Sequence, residues 1–417
     1  MTTAFVVLSA VSALLTLNAL FPRSRRSIFA VPSFFAAWPW NELALQLLVV
    51  GIVVAGAFVA AGVLDRAAGV VALALSVVSW LGMGALVRRA LTSSPLVERA
   101  LAEGLGEDDA AALDAAVHVA TPSRLLSISR VASGVPIAGR DVEIVRNLRY
   151  ADGAGRRHLL DLYRPAAGVS GAPVLVQVHG GAWIVGDKRQ QARPLMHHLA
   201  AHGWLCVAPN YRRSPAATFP DHLVDVKLAL RWARDHVAEY GGDPRFVVIT
   251  GGSAGGHLAA LAAFTQNDEE LQPGFEDADT SVAACVVFYG AYDLTGRFGG
   301  LGADGMGGLV ERFVLKRRVA NDPAAFSRAS PLDRVRADAP PFMVVHGTDD
   351  SLVPVEEARA FAARLREISS SPTVFLELPH AQHAFEVFDT VRSEAVVKGV
   401  HRFLASVHLS RLGELGP

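Results

Sequence analysis

The chain has 417 residues, which is too long for one ordinary domain and short for three, so we expect one large catalytic domain with an appendage. Its 39 basic and 40 acidic side chains give a formal net charge of −1, which excludes the strong positive field typical of nucleic-acid-binding proteins. Hydrophobic residues make up 51% of the chain and the mean hydropathy is +0.31, high values for a wholly soluble protein.

The apolar excess lies in three N-terminal runs, at residues 4–21, 43–64 and 67–87. Each run is close to the roughly 20 residues that a helix needs to cross the hydrocarbon core of a bilayer. The alternative for the first run is a cleaved signal peptide, but no Lys or Arg precedes it and two more runs follow. We therefore expect residues 1–91 to form a membrane region with about three transmembrane helices.

Basic residues beside these runs predict the orientation of the chain. Arg23, Arg25 and Arg26 follow the first run, and Arg88 and Arg89 follow the third. Because cytoplasmic flanks of membrane helices are enriched in Lys and Arg, both flanks are expected inside. Three spans then place the catalytic domain of this multi-pass membrane protein on the cytoplasmic side, with the lipid bilayer as a partner.

The sequence pattern changes after the membrane region. Residues 92–140 are rich in Ala, Glu and Asp and predict a connector whose helices pack on the next domain or cap it. Residues 141–408 alternate short β-rich runs with amphipathic stretches, which predicts an α/β catalytic domain with a mostly parallel sheet flanked by helices. The expected strands are residues 142–150, 158–163, 174–179, 205–209, 246–250, 283–289, 342–346 and 373–378.

The strongest chemical signal is the segment ITGGSAGGHLAALAA, in which residues 251–255 form a G-x-S-x-G motif. The motif follows an apolar strand and precedes an Ala- and Leu-rich helix, which is the context of a nucleophile on a sharp strand-to-helix turn. Small neighbours let the backbone turn without a side-chain clash. Ser253 is therefore the predicted nucleophile, against the alternative of an ordinary glycine-rich turn.

A second signal, VLVQVHGGAWIVGDK, is a buried strand that ends in a glycine-rich loop. Ester hydrolysis passes through a tetrahedral oxyanion, which preorganised backbone N–H groups stabilise by about 3 kcal/mol per donor. We predict that the amides of Gly181, Ala182 and Ala254 form the oxyanion hole, with Gly180 as the alternative donor. His179 at the strand end is predicted to have a structural hydrogen-bonding role.

Two further segments supply partners for the nucleophile. In MVVHGTDDSLVPVEEA a strand is followed by two acids, and the spacing to the Val-Pro pair favours Asp350 over Asp349 as the acid that orients the histidine. In LPHAQHAFEVF, His383 is the predicted general base and His380 a surface histidine. The chain order Ser, Asp, His is the one found with nucleophiles on such strand-to-helix turns.

The remaining histidines are predicted to have packing roles. His257 lies one turn into the helix after the nucleophile. His197, His198 and His202 lie on a helical stretch without metal-like partners, so no metal site is expected. The chemistry of a serine nucleophile requires no metal or organic cofactor.

With these motifs, residues from about 140 to 405 resemble the hormone-sensitive-lipase-like branch of the α/β hydrolases, in the group of bacterial carboxylesterases that includes prenylcysteine methylesterases and formamidases. HGGAW, GGSAGGHLA, HGTDDSLVP and the His-Ala-Phe that starts at His383 carry the likeness. Many members of the branch have GDSAGG and HGGG instead, so this chain resembles the HGGAW subgroup. The N-terminal region resembles that of some actinobacterial membrane-associated esterases and lipases. The resemblance implies the α/β-hydrolase fold with cap segments.

Together these features predict a serine carboxylesterase or lipase that hydrolyses small-molecule or lipidic esters through an acyl-enzyme on Ser253. Residues 266–280 and 296–319 interrupt the core pattern and are predicted to cap the site and set the acyl-chain size. The alternatives are an amidase or formamidase, an acyltransferase with the same triad, and a non-catalytic membrane scaffold.

Overall fold

The computed structural model describes residues 1–22, 29–106, 133–134, 139–299 and 306–414. Its centre is an eight-stranded sheet whose strands lie at the predicted positions, which confirms the α/β class. The strands are β1 (Val142–Arg149), β2 (Leu159–Pro165), β3 (Ala172–Val178), β4 (Leu205–Pro209), β5 (Gly242–Gly252), β6 (Cys285–Phe288), β7 (Phe342–Gly347) and β8 (Thr373–Leu378).

The strands run in the order β1-β2-β4-β3-β5-β6-β7-β8. β2 is antiparallel to both of its neighbours, whereas every pair from β4 to β8 is parallel. Since parallel strands point the same way, the loops after β3, β5, β6, β7 and β8 leave from one edge of the sheet, where α/β proteins bind their ligands. All the predicted site residues belong to those loops or begin the helix that follows.

Helices cover both faces of the sheet. Successive side chains of a strand point to opposite faces, so β3 sends Val174 and Val176 to one core and Leu175 to the other. These helices are α6 (Arg193–Ala201), α7 (Asp221–His236), α8 (Ala254–Phe264), α9 (Met306–Leu309), α10 (Pro323–Arg328), α11 (Val355–Ile368) and α12 (Val391–Glu414). The first core packs against α7, α8 and α11, and the second against α6 and α12.

Before residue 92, the described part of the chain forms α1 (Thr2–Leu20), α2 (Ala30–Glu42), α3 (Ala44–Ala60) and α4 (Ala67–Leu91). The helix α1 and the stretch from Ala67 to Leu105 are long and apolar enough to cross a membrane, and the pair α2 and α3, bent by 81°, would make a third span. The three apolar runs are thus helical. The helix α2 was not predicted; it contains Pro39 in its interior and the polar Asn41 near its end, which interrupt the apolar pattern.

Hydroxyl groups line the contact between α1 and α4, whereas large apolar side chains of α1, α3 and α4 point outwards. Ser9 lies 2.9 Å from Ser76, and Ser79 lies 2.9 Å from Ser12 and 2.8 Å from Thr16 between the hydroxyl oxygens. The large side chains that point outwards include Leu14, Leu17, Val53, Val71, Val78 and Leu81. This is the reverse of a water-soluble bundle and matches helix packing in lipid, where small and hydroxyl-bearing residues line the interfaces.

The predicted connector begins with a helix, α5 (Ser93–Leu105), that packs on the catalytic domain. Leu101 is fully buried, and a Cβ on Gly104 would lie only 2.6 Å from Val374 Cγ2 of β8. Most of the connector, residues 107–132 and 135–138, lies outside the described residues. The domain boundaries at 91 and 140 therefore stay predictions.

One of the two predicted cap segments lies elsewhere. Residues 266–280 follow the carboxyl end of α8, whereas Ser253 precedes its amino end, roughly 16 Å away for 11 residues at 1.5 Å each. The segment packs on α7 through Arg231 over Phe275. The prediction that it caps the site was wrong. The segment precedes β6, so it lies at the opposite edge of the sheet from the loops that follow the strands and carry the site. Of residues 296–319, numbers 300–305 lie outside the described residues.

Candidate active site

Ser253 occupies a strained turn between β5 and α8. Its φ of 57° and ψ of −124° are unusual for a residue with a side chain, a form of strain that collects at functional sites. The turn is possible because Gly255 lacks a side chain: a Cβ there would lie 2.1 Å from the carbonyl oxygen of Val178. The serine is 7% exposed. It stands at the positive end of α8, where negative charge is stabilised.

The glycine-rich loop after β3 lies beside the serine. A Cβ on Gly180 would come within 3.1 Å of Ser253 Cβ. The Gly180 amide donates to Gln191 Oε1 at 2.5 Å, so it is already engaged. Gly181 and Ala182 follow with φ values of 113° and 52°. Among the described residues, no protein acceptor pairs with the amides of Gly181, Ala182 and Ala254, which leaves these three donors available.

Two buried histidines hold this loop in place. The His257 Nε2 atom donates to the Ala329 carbonyl at 2.7 Å, so Nδ1 accepts from Trp183 Nε1 at 3.2 Å. His179 stacks on Tyr211 with ring centroids 4.4 Å apart. Burial lowers the pKa of both histidines to about 4, which keeps both rings neutral at physiological pH. Both positions therefore agree with the predicted structural roles.

The acid and the predicted base are hydrogen-bonded to each other. His383 Nδ1 donates to Asp350 Oδ2 at 2.7 Å, and the other carboxylate oxygen accepts from the amides of Leu352 and Val353, both at 2.8 Å. Burial raises the pKa of Asp350, but attraction to His383 and a hydrogen bond from His346 outweigh it and hold that pKa well below its usual value. The carboxylate thus stays ionised and leaves a lone pair on His383 Nε2.

The alternative residues form a separate pair on the surface. Asp349 lies 3.2 Å from His380 Nδ1, and His380 is 45% exposed at its side chain. Neither residue is hydrogen-bonded to His383 among the described contacts. The structure also shows no hydrogen bond between the hydroxyl of Ser253 and His383 within the described residues, a contact that often tightens only when substrate binds.

Two groups beside the histidine were not predicted from the sequence. The ring of Tyr289, which follows β6, lies 4.4 Å from that of His383, and its hydroxyl donates to buried Glu386. Burial raises the pKa of Glu386, against the opposing hydrogen bond from Tyr289. Glu386 lies in the quoted segment LPHAQHAFEVF, but nothing in its local pattern distinguishes it from a surface acid.

The N-terminal helix α2 forms another wall of the site. Phe34 presents its ring to His383 with centroids 6.0 Å apart, and Trp38 Nε1 donates to the carbonyl of Ala384 at 2.9 Å. Asn41 reaches the His380 carbonyl at 3.2 Å. Glu42, at the end of α2, forms a buried ion pair with Arg392. The loop that carries the histidine is thus held by the N-terminal region as well as by its own domain.

A buried acid near the site gives a testable pH dependence. Glu357 on α11 accepts from the amides of Tyr292 and Asp293 at 2.9 and 3.1 Å, and burial raises its pKa from 4.5 to about 8. The protonated form therefore stabilises the fold fully below pH 4.5, and this contribution is lost as the pH rises through about 8. Glu357→Gln stays neutral, so we expect the Tm of the wild type to fall relative to it between pH 5 and 8.5. The exposed Glu367→Gln is the control, and parallel curves for all three proteins would contradict the prediction.

A mostly parallel sheet with a serine after β5, an acid after β7 and a histidine after β8 is the arrangement of the α/β hydrolases. A family model described as BD-FAE matches residues 160–365. Esterase B from Lactobacillus rhamnosis superposes with a TM-score of 0.57 at 23% identity, over 75% of this chain and 99% of that one, which supports the fold. Esterase 2 from Thermogutta terrifontis, with butyrate bound, gives a TM-score of 0.53 at 26% identity, over 64% and 95%.

Curated relatives are more similar still. The chain is 41% identical to the probable carboxylic ester hydrolase LipM of Mycobacterium tuberculosis, over 97% of this chain and 94% of the relative. Esterase LipC of the same organism is 39% identical over 79% of both chains. The chain belongs to this family of carboxylic ester hydrolases. The predicted class of enzyme and the resemblance to carboxylesterases are thereby confirmed.

Proposed function

We propose that Ser253, His383 and Asp350 are the catalytic triad of this esterase, and that Gly181, Ala182 and Ala254 donate to the oxyanion. The observation that carries the proposal is the hydrogen bond from His383 Nδ1 to the buried Asp350, which fixes the tautomer of the histidine. With that proton held, Nε2 is the atom able to take the proton of Ser253. The strained turn at Ser253 and the three available amides of the oxyanion hole support the same assignment.

In the first step, His383 accepts the proton of the Ser253 hydroxyl as the oxygen attacks the acyl carbonyl. The negative charge that develops on the carbonyl oxygen is stabilised by the three amides, and Asp350 stabilises the charged imidazole. His383 then gives its proton to the leaving alcohol, and an acyl-enzyme remains on Ser253. Water attacks this ester with the same histidine as base, which releases the acid and restores the hydroxyl.

We further propose that the N-terminal helices are embedded in a membrane, with the catalytic domain on the cytoplasmic side. The outward apolar side chains of α1, α3 and α4 support the embedding. Arg88 and Arg89 end α4, and Arg89 donates to the Leu20 carbonyl, so the carboxyl ends of α1 and α4 share one side. Arg23, Arg25 and Arg26 lie outside the described residues. A green fluorescent protein fused after Pro417 should fluoresce in cells, because its carboxyl-terminal position is then cytoplasmic. A dark fusion, together with an active alkaline phosphatase fused at the same position, would show the opposite orientation.

This placement has a consequence for the substrate. The helix α2 is bent 81° from α3, so if α3 crosses the bilayer, α2 lies nearly along its surface. Since α2 contacts the loop that carries His383, the site opens close to the lipid. Its wall is aromatic, with Phe34, Trp38 and Phe388 in contact. We propose that apolar, lipid-soluble esters are the substrates.

The test is hydrolysis of p-nitrophenyl esters from acetate to palmitate by the full chain in detergent. We expect kcat/KM to rise by up to about fourfold for each acyl CH2 that becomes buried, since that burial contributes about 0.8 kcal/mol. The protein inactivated with a fluorophosphonate is the blank. Highest turnover with acetate would contradict the apolar substrate, and no turnover with any ester would contradict the triad.

A further inference from the structure

A cluster of three histidines lies outside the active site. His198 lies on α6, His202 caps the carboxyl end of that helix, and His401 lies on α12. One ring nitrogen from each falls within 4.8 Å of the others. His198 and His202 have no metal-like partner near them in the sequence, because the third histidine lies about two hundred positions further along the chain.

The spacing between His198 and His401 suits a shared ligand. His198 Nε2 lies 3.1 Å from His401 Nδ1. Two nitrogens that bind one Zn²⁺ at 2.0–2.1 Å with tetrahedral angles are about 3.3 Å apart. His198 and His202 are half-buried and His401 is buried, so an ion can enter from solvent and the two outer rings can adjust to it.

A hydrogen bond orients one of the three rings for this role. His202 Nδ1 lies 2.6 Å from the carbonyl oxygen of His198, an acceptor only, so Nδ1 carries the proton. The lone pair of His202 is then on Nε2. Donation of the second ring nitrogen to a backbone carbonyl is the usual support of a histidine that binds a metal.

We propose that His198, His202 and His401 bind one first-row divalent transition metal, with zinc as the fitting ion. Three imidazoles and a water complete a four-coordinate site, and imidazole nitrogen suits zinc, nickel and copper rather than magnesium or calcium. The ion joins α6 to α12, the helix whose Arg392 pairs with Glu42 of α2. Its role is therefore to fasten α12 to α6 within the catalytic domain.

The experiment uses the full chain in detergent, purified through a tag without histidine and treated with a chelator. Equilibrium dialysis against ZnCl2 with elemental analysis is expected to give one zinc per chain, and zinc is expected to raise the Tm. His202→Gln and His401→Gln should each weaken zinc binding at least tenfold, since even loss of an outer partner costs roughly 10–100-fold. Cobalt substitution should give the visible bands of a tetrahedral site in the wild type only.

The matched control is His236→Gln, which changes an exposed histidine paired with Glu239 and should leave zinc binding unchanged. Hydrolysis of p-nitrophenyl butyrate without metal reports whether each variant is folded. If His401→Gln does not fold, His202→Gln, on the outer side of the cluster, is the variant that tests zinc binding. The proposal is overturned if the wild type binds no more zinc than His202→Gln, which would mean that the three rings only pack together.

Discussion

Replacement of Ser253 by alanine is expected to lower kcat for p-nitrophenyl ester hydrolysis by about 10⁶-fold, the loss typical when a triad nucleophile is removed. The acyl-enzyme can no longer form, and only the amides of the oxyanion hole remain to stabilise the direct attack of water on the ester. The fold should persist, because the change removes one oxygen at a position whose hydroxyl makes no hydrogen bond within the described residues. The measurement is single-turnover kinetics together with labelling by a fluorophosphonate probe.

The two adjacent acids provide a matched pair of controls. Asp350→Asn should lower kcat by about 10⁴-fold, because the amide no longer holds the correct tautomer of His383. Asp349→Asn should leave kcat nearly unchanged, since Asp349 pairs with His380 on the surface. Equal losses for both variants would contradict the assignment of the acid. A Ser253→Ala protein that keeps its activity would contradict the assignment of the nucleophile.

Loss of the buried ion pair between α2 and α12 is expected to have the second largest effect. The side chains of Glu42 and Arg392 are 1% and 0% exposed, with 2.6 Å between Glu42 Oε1 and Arg392 Nη1. Among the described residues, Arg392 Nε and Nη2 have no other partner. Glu42→Gln therefore leaves a buried positive charge without its counterion, which destabilises a protein by about 3–5 kcal/mol. Thermal unfolding of the full chain in detergent measures the loss.

Two further proteins test the cause of that loss. Glu367→Gln breaks an exposed pair with Arg364 and should cost no more than about 1 kcal/mol. The double change Glu42→Leu with Arg392→Met removes both charges and should recover most of the stability. Because α2 also contacts the loop of His383, Glu42→Gln should lower esterase activity in parallel. Equal stability of Glu42→Gln and Glu367→Gln would show that α2 is not anchored by this pair.

The catalytic domain could be predicted from its sequence because its signals are local. Each strand carries an apolar run, and the motifs around Ser253, Asp350 and His383 follow strands whose parallel direction brings their ends to one edge of the sheet. The choice of Asp350 over Asp349 also rested on local spacing, and the hydrogen bond of Asp350 to His383 agrees with it. The apolar runs of the N-terminal region were likewise visible as helices of sufficient length.

Contacts between distant parts of the chain were decided only by the tertiary structure. Trp38 reaches the Ala384 carbonyl, and Glu42 reaches Arg392, across about 350 residues of sequence. His401 joins a cluster that looked incomplete at His198 and His202. Such contacts depend on how helices pack against the sheet, and neither periodicity nor spacing encodes that packing locally. The sequence by itself determined the fold class and the chemistry, and packing determined which distant elements surround the site.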